Sequence, residues 1–111
     1  METGGTLEIR TETKGGATLI HAEGVVGLAT AAELRSSLMH ALECGGAAVM
    51  DAAGISAIDL CGLQLLCSAV RSWSAHGGEF RVSPVPEALT VAARQAGVEM
   101  KAVFGSEVSH G

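Results

Sequence analysis

The stretch Ala47–Val70, AAVMDAAGISAIDLCGLQLLCSAV, constrains the fold more than any other part of this chain. A short apolar run, Ala47 to Met50, ends at Asp51 and gives way to the small residues Ala52-Ala53-Gly54. Past Ile55 and Ile58 the period changes. Leu63, Leu66, Cys67 and Val70 recur at i, i+3, i+4 and i+7, which is one apolar stripe on a helix. The stretch therefore predicts a buried strand, a turn and an amphipathic helix that starts at Asp59-Leu60-Cys61-Gly62. Strand-to-helix turns carry the sites of open α/β sheets. The turn from Ala52 to Gly62 is the longest one expected here, so a working site is expected on it.

The rest of the chain supplies elements around this unit. Leu7 to Arg10 and Ala17 to Ala22 flank Lys14-Gly15-Gly16, a hairpin signal whose glycines provide positive φ. The second run leaves the sheet through Glu23-Gly24-Val25-Val26-Gly27. Thr30-Ala31-Ala32-Glu33 fits a capping box, with the Thr30 hydroxyl accepting from the Glu33 N–H and the Glu33 carboxylate reaching back. Leu34, Leu38, Ala41 and Leu42 then form a stripe that Gly45-Gly46 stops. Glu79 to Ser83 alternates as a strand, Pro86 opens a helix from Glu87 to Ala96, and Gly97 fits its C′ position. Val98 to Phe104 is expected to add a short strand or to pack under the sheet, and Ser106 to Gly111 reads as a frayed tail. The order β-β-α-β-α-β-α implies a single-domain α/β fold, an open mixed β-sheet with packed α-helices. Residues 6–104 are expected to form that domain, with 1–5 and 105–111 as tails.

Composition bounds the function. A chain of 111 residues is one domain that can hold a core without disulfides or metal. The formal charge of -5 and the scattered Lys and Arg residues argue against nucleic-acid binding. No window is long and apolar enough to insert in a bilayer, and METGGTLEIR lacks a signal-peptide core. Cys44, Cys61 and Cys67 are odd in number and sit in helical, apolar patterns, so a reduced, cytoplasmic protein is expected.

No phosphate-binding, zinc-protease or C-x-x-C pattern is present. His21, His40, His76 and His110 are too widely spaced for a zinc site, so no metal and no cofactor is expected. Cys44 and Cys67 read as small buried hydrophobes. Cys61 differs by position: with Asp59 as the N-cap it falls at N2, where the helix dipole favours a thiolate and the Asp59 carboxylate opposes it. It lacks a recognisable base, so no catalytic residue is assigned, although a thiol sensor or enzyme using Cys61 stands as the alternative of another class. Leu60, Gln64, Ser68 and Arg71 fall off the core stripe and define an exposed helix face.

At this point the residues resemble a family. Gly24 to Arg35, GVVGLATAAELR, looks like the first-helix signature of STAS domains, the anti-sigma factor antagonist fold. Val49 to Leu63, VMDAAGISAIDLCGL, is similar to that family's strand, turn and phosphorylation-site helix. Gly77-Gly78, Val85-Pro86 and Ala96-Gly97-Val98 also fall where the family has equivalents. The resemblance spans residues 6–104. It implies a non-enzymatic bacterial module of signal transduction and transcription regulation whose partner is a GHKL-type kinase that doubles as an anti-sigma factor, or another signalling protein. In the family the residue before the helix glycine is commonly a phosphorylated Ser or Thr. Here that position is Cys61, preceded by Leu60, and neither bears a hydroxyl. Gly27 stands where kinase substrates of the family often have Asp. The resemblance thus implies partner binding through Thr30, Ile58, Asp59, Leu60, Cys61, Gly62 and Gln64, without the usual phosphoswitch. It equally admits a subunit of a chemotaxis system or of a lipid-transport ABC system, and some members bind nucleotides or lipids.

Overall fold

The computed structural model describes residues 5–100. Four strands and three helices follow in the expected order: β1 (Leu7–Lys14), β2 (Ala17–Val26), α1 (Ala31–Cys44), β3 (Ala47–Ile58), α2 (Leu60–Ala75), β4 (Phe80–Val82) and α3 (Glu87–Ala96). The sheet order is β1-β2-β3-β4. β1 pairs antiparallel with β2, and the β2–β3 and β3–β4 pairs are parallel. The hairpin closes where predicted, with Gly15 at φ 60° and Gly16 at φ 83°. Both central residues of a tight hairpin turn need positive φ, which glycine adopts without a Cβ penalty.

One face of the sheet is buried. Ile20, Ala22, Ala48, Met50, Phe80 and Val82 point into a core completed by Leu34 and Leu38 of α1, Leu63, Leu66 and Trp73 of α2, and Leu89 of α3. Aromatics are few, and the Trp73 and Phe80 rings stack with centroids 5.1 Å apart where α2 returns over β4. The opposite face carries Glu12, Leu19, His21, Val49, Asp51 and Arg81, which are half-buried or exposed. His21 lies there between Glu12, at 3.5 Å, and Asp51, at 3.3 Å.

Two expectations need correction. The segment Ala52–Ile58 is strand, not turn, because β2 continues to Val26 and offers it a parallel partner along Glu23–Val26. Register shifts between His21 and Glu23 and between Gly24 and Val25 take up the extra residues of β3. The strand-to-helix link shrinks to Asp59. Cys44, at the end of α1, is exposed and not buried, whereas Cys67 is buried as expected. Of the two arrangements expected for Val98 to Phe104, Val98 and Met100 take the packed one, against the core, while residues 101–104 and the expected tail lie outside the described residues.

Candidate functional site

The site grows from Asp59. Its backbone N–H donates to the Val26 carbonyl at 3.1 Å, which ties the end of β3 to the end of β2. With φ -97° and ψ -176° it is extended, the N-cap geometry from which a side chain can turn back on the helix it starts. Oδ1 accepts from the Gly62 N–H at 2.9 Å. Oδ2 accepts from the Leu28 N–H at 3.0 Å, across a sequence separation of 31 residues. One carboxylate therefore caps α2 and holds the loop between β2 and α1. The Gly62 N–H chiefly holds the Asp59 carboxyl below its ordinary range; burial opposes it, and the Leu28 and Cys61 N–H groups add to the lowering.

The same loop is fixed from inside by Thr30. The predicted capping box does not form: Thr30 precedes α1 but its side chain caps no helix N–H. Its hydroxyl instead accepts from the Gly27 N–H at 3.0 Å and donates to the Val25 carbonyl at 2.7 Å. Thr30 is only 4% exposed, so its hydroxyl is committed to the interior and shapes the surface from beneath. The Gly27-Leu28-Ala29 loop is thereby clamped at two points, by a hydroxyl below and a carboxylate above.

Glycines make the clamp close. A Cβ on Gly27 would lie 2.6 Å from Asp59 Oδ2. A Cβ on Gly62 would strike the Val26 carbonyl oxygen and side chain, so α2 can sit this near β2 only with glycine there. Gly62 is buried and acts by permitting that approach.

The outcome is a surface. Leu60 is 56% exposed and Leu28 76% exposed, each beside the carboxylate that holds its segment. Asp59, Cys61 and Gln64 are exposed, and Gln64 follows Leu60 by four residues, on the same helix face. Ser68 and Arg71 continue that face, as the off-stripe positions predict. Ile58 is half-buried and lines a groove with Ile55, Pro86, Ala88 and Val91. Of the seven residues singled out from sequence, Asp59, Leu60, Cys61 and Gln64 share the exposed surface, Ile58 borders it, and Thr30 and Gly62 support it. Leu28 is the residue that sequence reasoning missed. Its only local signal is a large apolar residue between a strand exit and a helix start.

Acid–base or thiol chemistry finds few parts here. Both Asp59 oxygens are engaged by backbone N–H groups. Among the described residues no hydrogen bond links Cys61 to a base, and no group of three or more His, Cys, Asp or Glu is placed to hold a metal ion. Among the same residues no helix is long and apolar enough to cross a membrane.

Residues 9–103 match the family described as "Mlab, STAS domain". An anti-sigma factor antagonist from Mycobacterium paratuberculosis superimposes with a TM-score of 0.74 at 19% identity, over 89% of this chain and 83% of that one. The anti-sigma factor antagonist SpoIIAA in its unphosphorylated form gives a TM-score of 0.62 at 17% identity, over 76% and 80%. The STAS-domain antisigma-factor antagonist from Rhodobacter sphaeroides gives 0.56 at 21%, over 68% and 84%. At these identities the likeness is one of fold. No curated protein matches the chain significantly.

Proposed function

Because the chain belongs to the STAS domain family, we propose that it is a non-enzymatic regulatory module that binds a signalling protein through the surface organised by Asp59. The observation that carries this reading is the pair of exposed leucines, Leu28 and Leu60, held by one carboxylate. Exposed leucines scattered singly need no explanation. Two of them on segments locked by the same side chain form a preorganised apolar contact, which binds without first ordering a loop.

The partner is a protein of the anti-sigma factor class, a GHKL-type kinase in the family's usual pairing, and the setting is the cytoplasm. Cys61 occupies the position where the family presents its phosphoacceptor, so the surface carries no hydroxyl there for that kinase to modify. A phosphate would add roughly -1.5 to -2 charges beside the leucines and repel a closely packed partner. Its absence leaves the surface permanently competent. The glycine at 27 belongs to the same logic, since any side chain there would crowd the Asp59 carboxylate and loosen the clamp on Leu28.

Affinity capture tests the reading. Immobilised wild-type chain is expected to retain a specific protein from its native cytosol, and Asp59→Lys or Leu60→Asp to release it. Equal retention by folded variants would remove the proposed surface.

A further inference from the structure

We propose that the outer edge of β1 is a self-association surface whose occupant is a second copy of this chain, docked antiparallel about a two-fold axis through Thr11. β1 ends the sheet on its side, and no described strand pairs with its outer edge. The direction of its backbone groups follows from the hairpin. The Thr6 carbonyl accepts from the Val25 N–H at 2.9 Å, and the register then runs unbroken from Leu7 opposite Gly24 to Lys14 opposite Ala17. In an antiparallel ladder alternate residues turn both backbone groups to the same neighbour. Glu8, Arg10, Glu12 and Lys14 therefore bond towards β2, while Leu7, Ile9, Thr11 and Thr13 present N–H and C=O groups outward. Such an edge is a template for an added strand.

Charge decides which strand. Glu8, Arg10, Glu12 and Lys14 share one face of β1, alternate in sign and are all exposed. When Thr11 pairs with Thr11 of the second copy, Glu8 meets Lys14, Arg10 meets Glu12, and the two-fold repeats both pairs. Every cation then faces an anion, and Ile9 lies opposite Thr13 with the outward backbone groups of both strands in register. Centring the pair on Arg10 sets Arg10 against Arg10 and Glu8 against Glu12. Centring it on Glu12 sets Glu12 against Glu12 and Arg10 against Lys14. Centring it on Ile9 or Thr13 leaves half the row without a partner. Directly opposed unlike charges stabilise a strand pair and like charges destabilise it, so one register is selected. Edge strands commonly use charge to repel other strands. An alternating row gives no such protection against its own copy in this register. None of the Asp59-site residues lies on β1, so the two surfaces are separate.

Sedimentation equilibrium of the whole chain, at concentrations up to about 1 mM, tests this. Wild type is expected to show a reversible monomer–dimer equilibrium that weakens as salt is raised. The acidic variant Arg10→Glu/Lys14→Glu and the basic variant Glu8→Lys/Glu12→Lys are each expected to lose about tenfold or more in dimer affinity. Mixing the two is expected to restore a dimer containing one copy of each. Thr11→Pro removes an outward N–H while leaving the charges and the β2 ladder intact, and is expected to abolish the dimer with the monomer still folded by circular dichroism. A wild type that stays monomeric throughout, folded charge variants that dimerise as well as wild type, or a mixture that fails to pair would overturn the proposal. So would a Thr11→Pro chain that still dimerises.

Discussion

Asp59 serves two elements with two oxygens, and substitutions can separate the roles. Asp59→Asn keeps a good N-cap for Gly62 but places an amide NH2 where Leu28 needs an acceptor. Asp59→Ala removes both bonds and is expected to cost about 1–2 kcal/mol, measured by urea unfolding. Because backbone N–H groups lower the folded-state pKa of Asp59, its stabilisation is complete above the ordinary unfolded carboxylate value, about 3.9, and is lost as pH falls through the lower folded value. The stability gap between wild type and Asp59→Ala is therefore expected to narrow on acidification below about pH 4. A gap that widens there would contradict the assignment. At Gly62 the constraint is steric, since a methyl group must push α2 away from the Val26 carbonyl. Gly62→Ala is expected to lower stability by about 1–3 kcal/mol despite the better helix propensity of alanine. On the proposed reading, Cys61→Ser would supply the hydroxyl that the matching position lacks here. Incubation with a cognate GHKL-type kinase is expected to label Cys61→Ser and leave wild type unlabelled, as read by mass spectrometry.

At the scale of elements, periodicity reports what is local. The α2 stripe marks its buried side, and Leu63, Leu66 and Cys67 are indeed buried while Leu60, Gln64, Ser68 and Arg71 are exposed. The Asp59 cap is legible because a cap and its N–H lie three residues apart. The second half of β3 is not legible, because Ala52-Ala53-Gly54 reads as a link by composition and becomes strand only through its pairing with β2. The Thr30 hydroxyl misleads for a related reason. Its spacing to Glu33 suits a capping box, yet the Val25 carbonyl behind it is the partner the folded chain supplies. Hydrogen exchange tests the strand assignment: amides that bond β3 to β2 between Gly54 and Ile58 are expected to be protected like those between Ala47 and Asp51. Exchange at loop rates in that half would return the segment to a turn.

For the whole molecule, the sheet gathers two chain exits that sequence keeps far apart. β2 and β3 run parallel and end together, so the loop after Val26 and the helix after Ile58 start side by side, and Asp59 joins them. That topology makes a surface of Leu28 and Leu60, and it explains why only one of the two was foreseeable. The family resemblance implies a partner surface at the α2 start and at Thr30, while the contact across to Leu28 exists only in three dimensions. Partner binding, as proposed, rests on that joint surface. The most direct measurement is the affinity of the captured partner, by calorimetric titration, for wild type, Leu28→Asp, Leu60→Asp and the distant surface variant Arg94→Ala. Leu28→Asp and Leu60→Asp are each expected to weaken binding by about 2 kcal/mol or more, with Arg94→Ala unchanged. Wild-type affinity in both leucine variants, folded and equally stable, would contradict it.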